Sequence, residues 1–198
     1  MSTITTSPSA PPTTRLPDFG GRPRRINLDQ MTAVKGHGKL IIRPIRLDDE
    51  HEMIRFHENL SEESIYLRYF EYLGLDQRTL HERLVRICTN TPVSYAIVVE
   101  GPAASHRPAV ILAVGRLTKT SEPCVATFDT LMIDEENSRQ LGKVLLQRLI
   151  KLARAFRFRI LTGDLLVADH DALNLCRALG FSLQTLPKGG LVRATLDL

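Results

Sequence analysis

A polar turn that leads into one strongly amphipathic helix constrains the fold of this chain more than any other part of its sequence. Between Asp134 and Phe156, large apolar side chains recur at positions i, i+4, i+8, i+11 and i+15, which places them on one side of an α-helix. The apolar stripe consists of Leu141, Leu145, Leu149, Leu152 and Phe156, and the other side carries Lys143, Gln147, Lys151 and Arg154. Such a helix is stable when its apolar side is buried, so we expect it to lie inside one compact soluble domain.

Short β-rich runs and weaker helical patterns surround this helix. The predicted strands are residues 40–45, 93–100, 110–117, 125–133, 160–167, 181–186 and 191–196. The other predicted helices are residues 48–59, 61–70, 77–88 and 169–179, the first two capped by Asp48 and Ser61 and the last ended by Gly180.

The order of these elements predicts an α/β class with a mixed sheet. Three consecutive strands, two of them bounded by Pro- and Gly-containing turns, favour antiparallel pairing. The strand–helix–strand unit around the long helix favours one parallel pair. The last two strands read as a hairpin across Pro187–Gly190.

The N-terminal segment is predicted to be a disordered, basic Ser/Thr/Pro-rich tail covering residues 1–38, with order beginning at Leu40. It carries five Lys and Arg against two Asp, which gives 5 − 2 = +3 of the formal charge of +4, and the rest of the chain therefore holds only 4 − 3 = +1. The basic charge belongs to the tail and not to a folded face, which argues against nucleic-acid binding.

Composition excludes several further classes. There is no apolar run of about 18 residues, so no membrane span is expected. The N-terminus has no apolar signal-peptide core, which favours a cytoplasmic protein. Cys88, Cys124 and Cys176 lie far apart and have no histidine at ligand spacing, so we expect free thiols and no metal site.

The turn before the long helix is a candidate anion site. The first turn of a helix presents unpaired N–H groups and a partial positive charge. With Ser138, Arg139 and Lys143 nearby, this turn could hold a phosphate or pyrophosphate. The alternative is an ordinary helix start with Ser138 as its cap.

The wider arrangement resembles the GNAT family of acyl-CoA-dependent N-acyltransferases. The family's pyrophosphate loop reads Gln/Arg-x-x-Gly-x-Gly/Ala, and here Asn137 stands at the first position, Gln140 at the first Gly and Gly142 at the last. Residues 175–181 (LCRALGF) are similar to the family's closing helix, with Cys176 where a Tyr often stands. Residues 42–46 (IRPIR) and 60–70 (LSEESIYLRYF) are similar to the GNAT domains of bacterial protein-lysine acetyltransferases.

The resemblance spans residues 40–186 and implies a GNAT-like domain over residues 39–198. Its mixed, mostly antiparallel sheet would be splayed between two central strands and flanked by helices. It also implies acetyl-CoA, or another acyl-CoA, as co-substrate, and an amine acceptor that is either a protein lysine or a small molecule. The implied cofactor-binding residues are Met132, Ile133, Asn137, Ser138, Arg139, Gln140, Leu141, Gly142, Lys143 and His170.

Three residues are candidates for proton transfer by the same resemblance. Relatives often carry a Glu where this chain has Thr127, and Asp129 points to the same strand face two residues later. Asp164 falls where relatives commonly have Glu, and Cys176 could donate a proton to the leaving thiolate. The alternatives are hydrogen-bonded strand carboxylates and a small core residue.

Two other functions are compatible with the sequence. One is a domain that binds acyl-CoA or a protein partner in a regulatory role without catalysis, favoured by Thr127. The other is a GNAT-shaped interaction module that binds no CoA, favoured by Gln140 if the turn requires a glycine there; in a helical backbone Gln costs little. The cluster of Tyr66, Arg68, Tyr69, Phe70 and Tyr72 is either a wall of the acceptor site or a packed helix face.

Overall fold

A computed structural model gives the fold, and it describes residues 18–20, 23, 27–34, 38–101, 109–134, 138–187 and 189–198. Asn137 and most of the predicted tail lie outside these ranges. The strands are β1 (Gln30–Val34), β2 (Gly38–Pro44), β3 (Ser94–Glu100), β4 (Ile111–Lys119), β5 (Val125–Met132), β6 (Ile160–Leu166), β7 (Ser182–Thr185) and β8 (Leu191–Asp197). The helices are α1 (Glu50–Glu58), α2 (Glu62–Tyr69), α3 (Leu75–Arg78), α4 (His81–Ile87), α5 (Ser138–Ala155) and α6 (His170–Ala178).

The described strands form one sheet in the order β1-β2-β3-β4-β5-β6-β8-β7. Every neighbouring pair is antiparallel except β5 and β6, which are parallel. The predicted mixed, mostly antiparallel sheet is therefore confirmed, and so is the C-terminal hairpin. The parallel pair holds together only from Val125↔Ile160 to Thr127↔Thr162, after which the two strands part.

The predicted stripe of the long helix packs on the sheet. All five of its residues are buried, and the four leucines have no exposed surface. Gly115 on β4 permits this contact, because a Cβ there would lie 2.9 Å from the Cδ1 atoms of both Leu145 and Leu149. This core also includes residues of α6, while a second core on the other side of the sheet packs residues of α1, α2 and α4.

The prediction that order begins at Leu40 is wrong for the described part of the N-terminal segment. Strand β1 pairs with β2 along its whole length, and Phe19 packs in the core. The buried Arg148 of α5 donates to the carbonyl of Leu28 at 3.1 Å and to the side chain of Gln30 at 3.0 Å. The segment is polar on average, and its one buried aromatic residue and its one edge strand hardly change that average. Composition alone therefore predicted a tail.

Two helix boundaries also differ from the prediction. Residues Leu47–Asp49 form a 3₁₀ turn and α1 begins at Glu50. Asp48 makes no cap; the neighbouring Asp49 instead binds Arg43 through both carboxylate oxygens, at 2.7 and 2.8 Å. The third predicted helix is broken between α3 and α4. Ser61 is confirmed as the cap of α2, since its hydroxyl accepts from the N–H of Ser64 at 3.1 Å.

The described ranges contain neither a candidate membrane span nor a candidate metal site. None of these helices combines the length and apolar character needed to cross a membrane. No group of three or more His, Cys, Asp or Glu side chains is arranged to hold a metal ion.

The acid stability of the fold should depend on His57. This side chain is 1% exposed, and burial, with Arg78 and Arg83 nearby, lowers its pKa from the usual 6.5 to about 4. Between pH 4 and 6.5, His57 therefore binds a proton in the unfolded chain but stays neutral in the folded chain. We expect the free energy of unfolding to be unaffected by His57 above pH 6.5 and to fall by about 3 kcal/mol as the pH drops to 4.

Urea unfolding at several pH values measures this effect. His57→Gln should flatten the pH dependence between 6.5 and 4, whereas His51→Gln, on an exposed position of the same helix, should leave it unchanged. Equal pH profiles for wild type and His57→Gln would contradict the assignment.

Candidate active site

A cavity of about 590 Å³ opens where β5 and β6 part. Its walls are the separated halves of these strands, the helix α2, the first turns of α5 and the helix α6. The ring of Phe128 packs over Gly163 on β6, where a Cβ would come within 2.6 Å of it. The glycine therefore lets the two strands approach closely just before the gap begins.

Backbone polar groups of β5 face this gap. The N–H of Ile133 donates to the carbonyl of Leu112 on the opposite side, at 3.0 Å. Because hydrogen-bonded and non-hydrogen-bonded pairs alternate along an antiparallel ladder, the N–H groups of Met132 and Thr130 point away from β4 and into the gap. No described strand pairs with them there, since β6 stays in register only as far as Thr127.

Ile133, predicted to bind the cofactor, lines the cavity, but its N–H is already used in the sheet and is not available to a cofactor. The N–H of Met132 faces the gap, so its cofactor-binding role stays a prediction, and Thr130 is a further candidate that the sequence did not single out. An alternating strand offers only every second amide to a ligand, and the register of β4 with β5 decides which ones.

The first turns of α5 form one end of the cavity. Arg139, Gly142 and Lys143 line it, and Arg139 pairs with Asp171 of α6 at 2.8 Å. A Cβ on Gly142 would lie 3.2 Å from the Cε of Met132 and 3.5 Å from a methyl of Leu175, so this position is close-packed. Among the described residues, Lys143 makes no ion pair.

The other residues predicted in this turn lie differently. Ser138 is the first residue of the helix, Gln140 is exposed within it, and Leu141 is fully buried in the core. Because its side chain is buried, Leu141 can contact a ligand only through its backbone. Gln140 has ordinary helical backbone, because it is not among the described residues with positive φ. Its side chain stands outside the cavity wall, so the structure gives no reason for a glycine there.

The variant Gln140→Gly should therefore not tighten CoA binding. We expect an unchanged dissociation constant and an unfolding free energy lower by about 1 kcal/mol, from the poor helix propensity of glycine. Calorimetric titration with CoA together with urea unfolding measures both quantities. A tenfold tighter complex would show instead that a glycine is needed in this turn.

The two candidate carboxylates differ in their partners. Asp129 Oδ1 pairs with Arg68 of α2 at 2.7 Å, and its Oδ2 has no hydrogen-bond partner in the described part of the chain. Asp164 is held at both oxygens by Arg193 of β8, at 2.7 and 2.8 Å. Both carboxylates line the cavity, and of the two only Asp129 keeps an oxygen without a described hydrogen-bond partner.

The two residues predicted on α6 are placed unequally. Cys176 lines the cavity but is only 1% exposed, and burial raises the pKa of its thiol to about 12. His170 is exposed and does not belong to the cavity wall. The cap of this helix is Asp169, which accepts from the N–H of Ala172 at 3.0 Å.

Several residues at the site were not foreseen from the sequence. Asp134 accepts from the N–H of Ser61 at 2.7 Å and from the hydroxyl of Ser64, and so ties the start of α2 to the end of β5. Arg193 reaches the site because it stands opposite Asp164 in the β6–β8 register. Both contacts join residues far apart in the chain, and no local pattern signals them.

The fold has clear counterparts among solved structures, although no family model matches the sequence. The GNAT domain of S. lividans PAT is 20% identical, with a TM-score of 0.73, over 86% of this chain and 97% of that domain. Mycobacterium smegmatis RimJ in complex with CoA-disulfide is 10% identical, with a TM-score of 0.66, over 89% and 90% of the two chains.

A third counterpart is spermidine N-acetyltransferase from Vibrio cholerae, in complex with CoA and spermine. It is 16% identical, with a TM-score of 0.59, over 80% of this chain and 95% of that one. The chain therefore has the GNAT fold, as the resemblance in sequence implied.

Proposed function

We propose that this protein is an acyl-CoA-dependent N-acyltransferase that transfers an acetyl group from acetyl-CoA to an amine, including the amine of a protein lysine. The observation that carries the proposal is the parting of the two parallel strands β5 and β6 directly beside the start of α5. That arrangement puts unpaired strand amides, a helix N-terminus and a carboxylate around one cavity. Structures of the same fold hold CoA or CoA-disulfide.

Each part of the cavity has a separate task in this proposal. The N–H groups of Met132 and Thr130 donate to the pantetheine arm or to the thioester oxygen, which stabilises the charge that develops there. The backbone N–H groups of the first turn of α5, with Lys143, hold the pyrophosphate. The residues of α2 close the opposite side, where the acceptor amine enters.

The reaction is a direct transfer. The neutral amine forms a C–N bond with the acyl carbon, the C–S bond breaks, and CoA leaves as a thiolate. Asp129 accepts the proton of the incoming ammonium at Oδ2, directly or through one water. Asp129 then releases this proton to solvent, and the CoA thiolate takes up a proton from solvent.

We assign structural and not catalytic roles to Asp164 and Cys176. Both oxygens of Asp164 are held by Arg193. The thiol of Cys176, with its pKa raised to about 12, is a weaker acid than an ordinary thiol of pKa ~8.5, so proton transfer from it to a leaving CoA thiolate is uphill.

A second candidate function is acyl-CoA binding without turnover. It is favoured by Thr127, which stands at the cavity where relatives often have a Glu, and by the ion pairing of both nearby carboxylates.

Release of free CoA thiol from acetyl-CoA distinguishes the two functions. The assay should cover alkylamines, polyamines, amino acids and lysine-containing peptides. We expect amine-dependent release with at least one class. CoA binding with no release from any class would support the second function and contradict the first.

A further inference from the structure

Two arginines stack on the ring of Tyr69, and two more lie near them on the same side of the sheet. The guanidinium carbons of Arg68 and Arg83 lie 5.0 and 5.1 Å from the centre of the Tyr69 ring. Arg116 stands opposite Asp129, the partner of Arg68, in the register of β4 with β5, and Arg78 belongs to helix α3. We call Arg68, Tyr69, Arg78, Arg83 and Arg116 the Tyr69 cluster.

The cluster carries far more positive than negative charge. Among the described residues, the ion pair of Arg68 with Asp129 is the one salt bridge that its four arginines make. Arg116 donates to neutral partners, the hydroxyl of Ser94 at 2.7 Å and the carbonyl of Ile87 at 2.5 Å. Arg78 likewise donates to the carbonyl of His57 at 2.9 Å.

Buried nitrogen atoms beside the cluster lack acceptors. The Nε atoms of Arg78 and Arg83 and both ring nitrogens of His57 are buried without a hydrogen-bond partner. The side chains of Arg78 and His57 are each more than nine-tenths buried. Buried donors without acceptors are costly, and oxygen atoms of a bound group would satisfy those that it reaches.

The cluster adjoins the reaction cavity through Arg68, and Arg116 is the register partner of a cavity residue. Arg68 both lines the cavity and stacks on Tyr69. Arg116 stands opposite Asp129 in the register of β4 with β5. A molecule that binds the cluster with one group can therefore place its amine in the adjoining cavity, near the free oxygen of Asp129.

We infer that the Tyr69 cluster binds an oxyanion, a carboxylate or phosphate, carried by the acceptor amine. The assignment to the acceptor rests on the proposed transferase function; the anion site itself does not. Guanidinium groups bind such oxyanions by paired, charge-assisted hydrogen bonds. The preferred acceptors are therefore amines that also bear an anionic group, and not simple polyamines.

Inorganic phosphate tests the anion site without any turnover. At constant ionic strength, phosphate should raise the midpoint of thermal unfolding of the wild type. Arg83→Gln should reduce the shift to the part that the α5 turn contributes, and Arg83→Lys should reduce it less, whereas Arg86→Gln, exposed on the same helix, should retain the full shift. No shift in the wild type, or an equal shift in Arg83→Gln, would overturn the site.

Ternary binding tests the assignment to the acceptor. With the protein saturated with CoA, ω-amino acids of several lengths are compared by calorimetry with alkylamines of the same length. The best amino acid should bind about tenfold tighter than its alkylamine, and Arg83→Gln should remove that preference. Equal affinities in the wild type would overturn the acceptor assignment, even if phosphate binds. A protein that CoA does not stabilise would instead show that the transferase proposal has failed, while the phosphate result still decides the anion site.

Discussion

Asp129→Asn is expected to lower kcat/KM for acetyl transfer by about 100- to 10,000-fold, the range for loss of a general base. The reason is that Asp129 lies on β5 at the gap and keeps Oδ2 without a hydrogen-bond partner among the described residues, since Arg68 pairs with Oδ1. Asparagine keeps the shape but cannot accept the proton of the ammonium. Steady-state rates with saturating acetyl-CoA measure the loss, and calorimetry with CoA should show unchanged affinity.

Asp164→Asn is the matched control, because it makes the same chemical change across the gap. Both oxygens of Asp164 are held by Arg193, so we expect less than about a threefold change in kcat/KM after correction for folding, well below the loss of a general base. A larger loss at Asp164 than at Asp129 would reverse the two roles. Wild-type rates in Asp129→Asn would show that no carboxylate base is needed there.

Phe19→Ala is expected to lower the free energy of unfolding by about 3 kcal/mol, the usual cost of removing a buried phenylalanine. The ring is 6% exposed and packs against Phe156 and Phe158, each with ring centres 5.0 Å away, and against Tyr95 at 6.0 Å. Its loss would leave a cavity between β3 and the end of α5. Urea denaturation measures the change.

Met31→Ala provides the control from the same N-terminal segment. Met31 is 74% exposed on the edge strand β1, so its truncation should change stability by less than about 0.5 kcal/mol. Equal, small effects of both substitutions would mean that the N-terminal segment does not contribute to the core.

The parts of the fold that follow from local periodicity could be predicted from the sequence. The stripe on α5 repeats with the helical period from Leu141 to Phe156, and no strand can place all four of its leucines on one side. The strand–helix–strand order around it predicted the parallel pair of β5 and β6. The resemblance to the GNAT family supplied the gap between them, which periodicity does not reveal.

The features that depend on long-range register could not be predicted. The pairing of Arg193 with Asp164, and of Arg68 with Asp129, joins residues on elements that only the folded sheet brings together. The same holds for Ile133, whose amide is used because Leu112 lies opposite. Phe19 was missed for a different reason, because a single anchor in a polar segment has no periodic pattern.

The gap between β5 and β6 is the centre of the proposed function, and CoA binding tests it most directly. Thermal unfolding should be followed with CoA and acetyl-CoA for the wild type, for Gly142→Val and for Gln140→Ala. Gly142 lines the cavity against Met132, so a branched side chain there should weaken binding, while the exposed Gln140 in the same turn serves as the control.

The wild type and Gln140→Ala should be stabilised by about 2.7 kcal/mol at a ligand concentration 100 times the dissociation constant. Gly142→Val should show a smaller shift at the same concentration. If neither CoA nor acetyl-CoA stabilises the wild type, the gap does not bind acyl-CoA and the proposed transferase function is contradicted.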